Sequence, residues 1–152
     1  MPDGALHGLL VADFSRVLAG PLCTQTLGDL GADVVKVERP GTGDDTRQWG
    51  PPFVDEGSTY FLGLNRGKRS LTLDLRDPAD QPLARELCER ADVVLESFRP
   101  GAMDRLGLGY ADVRRTNPGV VYTSISAFGS GAETRDPNAL IDVYTTPGLV
   151  LR

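Results

Sequence analysis

Basic residues recur where predicted strands end, and such cations could bind an anion. Arg39 comes shortly after one apolar run of the sequence, and Arg16 follows another. Open α/β folds bind their ligands at the carboxyl ends of parallel strands, so cations in these positions favour an anionic small molecule. The basic residues near an end of a predicted strand are Arg16, Arg39, Lys68, Arg69, Arg76 and Arg99.

Each of these signals also has a purely structural explanation, which the residues alone leave open. Arg39 could be a surface cation that pairs with Glu38 or Asp44. The basic turn at 66–69 is also typical of a solvated loop, and Asp142 could be an acid on a helix surface without a function. On composition and spacing, the sequence indicates a cytoplasmic α/β domain, with anion binding as the functional interpretation.

The elements that must position these cations follow from the hydrophobic pattern. Strands alternate with helices, which is typical of βαβ units around a parallel sheet. The stretch 40–57 is rich in Gly, Pro and Asp, and it predicts a long loop of the kind that is often functional. The predicted strands are residues 9–14, 34–37, 70–75, 93–95 and 120–125.

Five helices are predicted between these strands. The first begins at Gly20-Pro21 and ends at Gly31, and another begins at Asp77-Pro78, because proline suits the first helical turn and glycine the C-terminus. Short helices are expected at 58–64, 103–106 and 111–115. The expected apolar faces are Leu22, Thr26, Leu27 and Leu30 in the first helix, and Leu83, Leu87 and Ala91 in the later one.

Composition narrows the class of protein. The 152 residues are 40% hydrophobic, as in a globular domain, and the net charge of -5 argues against nucleic acid or an anionic membrane as a partner. No apolar run predicts a membrane span or a signal peptide, so we expect a cytoplasmic protein. Cys23 and Cys88 are expected to be buried hydrophobes. The only histidine, His7, disfavours a catalytic triad or a zinc site.

Several motifs, taken together, resemble family III CoA-transferases of the CaiB/BaiF type, a group that includes formyl-CoA:oxalate transferase, carnitine CoA-transferase and α-methylacyl-CoA racemase. The longest are DLGADVVKVERP at 29–40 and ADVVLESFRPG at 91–101. The resemblance runs almost continuously from residue 6 to residue 129, with motifs in the family's order and spacing. The other matching segments are 9–21, 43–47, 60–61, 65–70, 73–75, 106–110, 117–118 and 122–129.

The resemblance implies a Rossmann-like parallel sheet flanked by helices, which is the N-terminal part of the family's large domain. Residues 1–129 would form the CoA-binding domain, and 130–152 would begin the segment that carries the catalytic aspartate. Family members continue well beyond this length and form interlocked homodimers. We therefore expect an N-terminal portion of such an enzyme, which could be inactive by itself and would dimerise in this way at full length.

The resemblance also implies a set of ligand contacts. Coenzyme A is a substrate in this family, so no permanently bound cofactor and no metal are expected. Positions that match Arg39 and Arg76 contact the nucleotide end of CoA, and a guanidinium suits phosphate because it donates two parallel hydrogen bonds. The helix start at Gly20-Pro21 adds backbone donors. The remaining implied CoA-binding residues are Arg16, Val17, Leu73, Ser97, Phe98 and Arg105.

The implied reaction moves CoA between carboxylic acids through an aspartyl-CoA thioester. The aspartate matches best at Asp142, although Leu140-Ile141 replaces the usual Gly-Tyr before it, and Asp136 is a second candidate. Two alternatives stay open. One is a 2-methylacyl-CoA racemase-like enzyme, which the shortage of histidine disfavours. The other is a truncated, non-catalytic CoA-binding fragment.

Overall fold

The computed structural model describes residues 4–55 and 57–126. Within these residues, strands and helices alternate along the chain. The strands are β1 (Leu10–Phe14), β2 (Asp33–Glu38), β3 (Phe53–Val54), β4 (Gly57–Ser58), β5 (Arg69–Thr72), β6 (Val93–Glu96) and β7 (Val121–Ser124). The helices are α1 (Ala19–Asp29), α2 (Thr59–Asn65), α3 (Gln81–Arg90), α4 (Ala102–Arg105) and α5 (Tyr110–Thr116).

Five strands form one sheet in the order β5-β2-β1-β6-β7, and every neighbouring pair is parallel. Ala12 of β1 lies opposite Val35 on one side and Val94 on the other, so small and β-branched residues fill the centre. The chain winds outward from β1 in both directions. This places a topological switch point between β1 and β6, where folds of this class bind ligands. The predicted Rossmann-like α/β fold is confirmed.

Helix α1 packs on the sheet through a different face from the predicted one. Gly31 has a φ of +104°, as a helix-terminating glycine requires. However, Leu22 and Leu30 are 50% and 46% exposed. The buried face contains Thr24, whose hydroxyl donates to the Asp13 carboxylate of β1 at 2.6 Å. A buried carboxylate needs donors, so it draws the polar face of the helix inward.

Helix α3 begins later than predicted, because the acids before it bind backbone in turns. Ala79 donates its N–H to Asp77 at 2.9 Å, and Asp74 donates its N–H to Asp80 at 2.8 Å, so the helix starts at Gln81. Its buried face agrees with the prediction at Ala91 and Leu87, which pack in or against the core, but not at Leu83. Leu83 is 45% exposed, and the residues buried from this helix and its C-cap are Ala84, Cys88 and Ala91.

The predicted long loop has structure of its own. It contains a short 3-10 helix, Asp45–Gln48, and the antiparallel pair β3 and β4. The Ser58 hydroxyl donates to the Trp49 carbonyl at 2.6 Å and ties these two parts together. This segment is therefore positioned well enough to carry side chains of a site.

Cys88 is buried as predicted, but the prediction for Cys23 is wrong, because its side chain lies on an exposed part of α1. In the part of the chain that the structure describes, no helix is long and apolar enough to cross a bilayer. The main core cluster is Ala12, Phe14, Val37, Leu73, Ala84, Cys88, Ala91, Val94, Met103, Leu108 and Val113.

Candidate functional site

An open cavity of about 700 Å³ lies at the carboxyl ends of β1, β2, β5 and β6. This volume falls in the range of small-molecule sites. Apolar side chains and four arginines contribute to its lining, so the cavity combines apolar surface with positive charge. The apolar side chains include Phe14, Val37, Leu73, Leu75, Phe98 and Leu106, and the arginines are Arg16, Arg39, Arg76 and Arg105.

The structure brings six of the eight predicted CoA-binding residues to this one cavity. They come from four separate chain segments, which meet only because the parallel strands end at one edge of the sheet. The six are Arg16, Arg39, Leu73, Arg76, Phe98 and Arg105. The other two, Val17 and Ser97, do not line the cavity and instead belong to the hydrogen bonds of the adjoining turn.

That turn, between β1 and α1, is held from two sides. Arg16 donates its N–H to the Ser97 hydroxyl at 3.0 Å, and Val17 donates its N–H to the Asp44 carboxylate at 3.3 and 3.4 Å. Val17 has a φ of +71°, which is unusual for a β-branched residue. Such a conformation costs about 1–3 kcal/mol, so the surrounding contacts must impose it. The turn that presents Arg16 is therefore set by partners on distant segments.

A buried ion pair lies below this turn. The Lys36 ammonium lies 2.9 Å from the Asp44 carboxylate, and their side chains are 2% and 0% exposed. Lys36 also donates to the Ser15 carbonyl at 2.9 Å, and Asp44 accepts the Thr46 N–H at 3.0 Å. Burial by itself would raise the pKa of the Asp44 carboxyl. The charge of Lys36 and the hydrogen bonds from Thr46 outweigh it, so the pKa lies below its ordinary value.

A second buried pair continues the network under α1. The Lys68 ammonium lies 3.1 Å from the Asp13 carboxylate and also donates to the Asn65 side chain at 2.9 Å and to the Pro21 carbonyl at 2.8 Å. Burial lowers the pKa of Lys68, and the attraction of Asp13 only partly opposes this. Lys68 is thus fully occupied inside the protein and is not a cation of the cavity, contrary to its interpretation from sequence.

Two other strand-end cations also lie away from the cavity lining. Arg69 binds Asp33 through two hydrogen bonds of 2.9 and 2.5 Å. Both residues begin their strands, so they lie at the amino ends of the strands, whereas the cavity lies at the carboxyl ends. Arg99 is exposed but is not among the lining residues. The cationic character of the site therefore comes from three of the six strand-end cations, Arg16, Arg39 and Arg76, together with Arg105, which the family resemblance implied.

Glu38, at the end of β2, anchors the 3-10 helix segment to the sheet. Its carboxylate accepts hydrogen bonds from Arg47 at 2.6 and 2.7 Å, from the Ser70 hydroxyl at 2.7 Å and from the Asp44 N–H at 3.0 Å. Burial opposes ionisation of Glu38, but these hydrogen bonds outweigh it and lower its pKa. The Arg47 guanidinium also lies 3.8 Å from the centre of the Phe61 ring.

The exposed rim of the cavity has a different arrangement. Arg39 forms an ion pair with Asp45, rather than with Glu38 or Asp44 as the sequence alternatives proposed. Arg16 lies 3.7 Å from the same Asp45 carboxylate, and its guanidinium lies 5.0 Å from the centre of the Phe98 ring. The side chains of Arg39 and Asp45 are 49% and 47% exposed, so water can replace either partner.

Sequence reasoning missed Lys36 and Asp45 at this end of the sheet, and it named Glu38 and Asp44 only as alternative partners of Arg39. A usable signal existed in β2, where Lys36 and Glu38 interrupt an otherwise apolar run. Charged residues in a strand buried on both faces require internal partners. Their partners come from the loop that follows, whose position no periodicity predicts.

The predicted catalytic residue, Asp142, lies outside the described residues, as does Asp136. Among residues 4–55 and 57–126, no group of three or more histidine, cysteine, aspartate or glutamate side chains could hold a metal ion.

The cationic cavity lies at the switch point of a parallel sheet, which is where open α/β folds bind their ligands. Residues 6–146 match the CoA-transferase family III. Because this match covers most of the sequence, the chain belongs to that family. The resemblance stated from its motifs is thereby confirmed.

Known relatives share long stretches with the chain. A succinyl-CoA:glutarate CoA-transferase from Mus musculus is 50% identical over 124 residues, which are 82% of this chain and 28% of the relative. An acetyl-CoA:oxalate CoA-transferase from Acetobacter aceti is 49% identical over 128 residues, covering 84% and 33%. The crystal structure of a CaiB/BaiF family protein from Brucella suis has a TM-score of 0.82 at 48% identity, covering 90% of this chain and 36% of that one. The chain spans about a third of the length of these proteins.

Proposed function

We propose that the protein carrying this chain transfers coenzyme A between carboxylic acids. Membership in the family and the names of the relatives support this proposal, since those relatives are CoA-transferases acting with succinyl-CoA and glutarate or with acetyl-CoA and oxalate. The observation that carries it is the cavity, where arginines from four segments surround an apolar surface. CoA matches both features, because it has phosphate groups at one end and an acyl-pantetheine chain at the other.

In this proposal the arginines bind the nucleotide end of CoA. Arg39 and Arg76 contact phosphate, and Arg16 and Arg105 add positive charge at the same edge. Val17 and Ser97 act through the turn: their hydrogen bonds hold Arg16 in place beside the cavity. Leu73 and Phe98 supply apolar contacts. No permanently bound cofactor or metal is part of the proposal, and CoA is a substrate.

Asp142 is the proposed nucleophile. Its carboxylate attacks the thioester carbonyl of the donor and expels CoA thiolate, which leaves a mixed anhydride. The thiolate attacks the aspartyl carbonyl, so the donor acid departs as a carboxylate and an aspartyl-CoA thioester remains. The acceptor carboxylate then repeats both steps in reverse. Every nucleophile in this sequence is already an anion, so no histidine base is needed.

The setting of the enzyme is also a proposal. We infer a cytoplasmic protein whose partners are acyl-CoA and carboxylic acid substrates, and which forms an interlocked homodimer when the rest of its length is present. The net charge of -5 supports small anions bound by local cations over nucleic acid or anionic membranes as partners.

The test of the reaction uses radiolabelled succinyl-CoA and a panel of acids that includes glutarate and oxalate. With the label in the CoA moiety, we expect it to appear in the thioester of an acceptor acid. Hydroxylamine should convert the enzyme-CoA thioester into an aspartyl hydroxamate with release of CoA, and this hydroxamate should be absent in Asp142→Ala. Trapping that persists in this variant would place the nucleophile elsewhere. Deuterium entering the α-carbon of an acyl-CoA without transfer would indicate racemase chemistry. CoA binding without either reaction would indicate a non-catalytic binding fragment.

A further inference from the structure

One carboxylate lies between two arginines of the cavity rim. Asp45 pairs with Arg39, and its other carboxylate oxygen lies 3.7 Å from Arg16. Both arginines line the cavity. A carboxylate and a phosphate use the same kind of donor on a guanidinium, namely parallel N–H groups. The side chain of Asp45 therefore satisfies donors that an incoming phosphate would also need.

The neighbouring residue shows that Asp45 is not needed to hold the fold in the same way. Asp44 is fully buried, pairs with Lys36 and caps the 3-10 helix through the Thr46 N–H. Asp45 is the next residue, but its side chain points to the rim and is 47% exposed. Exposed ion pairs exchange readily with water and with other ions. The pair at the rim can therefore open without disturbing the buried network.

We propose that Asp45 is an affinity-determining residue that occupies the anion subsite of Arg16 and Arg39 and must be displaced by a phosphate of the ligand. The proposal rests on the proposed function for the identity of the ligand, CoA, and on the ion pairs for the competition itself. Two guanidinium charges minus one carboxylate charge leave the subsite with a single net positive charge in the free protein. Displacement of Asp45 exposes both positive charges to the phosphate.

The competition predicts that removing the carboxylate improves binding. Asp45→Asn keeps the size of the side chain and removes its charge, so CoA should bind about two- to fivefold more tightly, the range that an exposed pair supports. In the Arg39→Ala background, the same substitution should give a smaller gain, because one of the competed donors is gone. Pantetheine, which carries no phosphate, should bind Asp45→Asn and the unchanged chain equally.

The matched control is Asp33→Asn. Asp33 is also an exposed carboxylate that pairs with an arginine, Arg69, and its removal changes the net charge by the same amount. However, it begins β2 and therefore lies at the amino ends of the strands, away from the cavity at their carboxyl ends. Its substitution should leave the affinities for CoA and for pyrophosphate unchanged at physiological ionic strength, because distant exposed charges are largely screened there.

The experiment is a calorimetric titration of the 152-residue chain and these variants with CoA, pantetheine and inorganic pyrophosphate. Tighter binding of CoA and pyrophosphate by Asp45→Asn, but not by Asp33→Asn, supports the proposal. Equal affinities in both variants, or weaker binding by Asp45→Asn, overturn it. If no variant binds CoA but Asp45→Asn binds pyrophosphate more tightly, the competition stands and the proposed function fails.

Discussion

The buried and the exposed ion pairs at this edge of the sheet differ in what surrounds them. Lys36 and Asp44 have side chains that are 2% and 0% exposed, and each has additional hydrogen-bond partners. Arg39 and Asp45 are about half exposed, at 49% and 47%. The first kind of pair can set the positions of backbone segments, whereas the second can exchange its partner for a ligand.

The energetic consequence follows from solvation. Breaking a buried pair by removing one partner leaves an uncompensated charge and costs about 3–5 kcal/mol. Breaking an exposed pair costs about 0–1 kcal/mol, because water solvates the charge that remains. Substitutions in the buried network should therefore change stability, and substitutions at the rim should change binding.

The largest effect is expected from Lys36→Met, which keeps the length of the side chain and removes the partner of Asp44. The free energy of unfolding should fall by about 3–5 kcal/mol, as measured by urea denaturation. Arg69→Met is the control, since Arg69 also pairs with an aspartate but is 63% exposed, and it should cost less than about 1 kcal/mol. Similar losses in both variants would contradict the distinction between the two kinds of pair.

At the rim, Arg39→Ala should weaken CoA binding by about 1.5–3 kcal/mol, because it removes a charge-assisted hydrogen bond to phosphate. The unfolding free energy should change by less than about 1 kcal/mol. Calorimetry and denaturation of the same preparation measure both quantities. An unchanged affinity would remove Arg39 from the site, and Arg69→Ala shows whether any loss is specific to the cavity edge.

The dependence of the unfolding free energy on pH also tests the role of the buried pair. The pKa of the Asp44 carboxyl is lowered in the fold: burial raises it, but the charge of Lys36 and the hydrogen bonds from Thr46 prevail. A lowered pKa contributes stability above the unfolded value of about 4, and this contribution is lost as the pH falls through the folded pKa. The difference in unfolding free energy between the unchanged chain and Asp44→Asn should therefore shrink below about pH 4. A difference for Asp44→Asn that does not change with pH would refute the prediction.

The smallest effect concerns the turn. Val17→Gly should change the unfolding free energy by less than about 1 kcal/mol, since relief of the positive φ offsets the entropy that glycine adds to the unfolded chain. Val121→Gly, at an exposed position in β7, should be destabilising, because the strand conformation offers no relief. Thermal denaturation of the two variants checks this, and an equal loss in both would show that Val17 is unstrained.

Much of the fold could be predicted because it depends on local signals. The apolar runs and the glycine after α1 located every strand of the main sheet to within a few residues. The buried face of α1 and the start of α3 could not be predicted, because Asp13 selects the polar side of α1 and acidic turns delay the start of α3. The first depends on a contact between two separate elements, and the second on acids that bind nearby backbone N–H groups in place of a helical turn.

The residues of the site also fall into those that could be predicted from sequence and those that could not. The arginines at the rim follow motifs that are readable in the sequence, and four segments bring them to one cavity. Asp44 and Asp45 are adjacent and chemically alike, yet one is buried and one is exposed. Nothing in their local sequence distinguishes them. Asp44 pairs with Lys36 and Asp45 pairs with Arg39, and this difference arises only from the folded arrangement of the chain.

The central claim is that the carboxyl edge of the sheet binds CoA, and amide hydrogen exchange with and without CoA tests it most directly. The account predicts slower exchange in the segments that surround the cavity, 39–47, 73–76 and 97–106. It predicts no change at the amino ends of the strands, near Asp33 and Arg69. Protection confined to the amino ends of the strands, or no protection at saturating CoA, would contradict it.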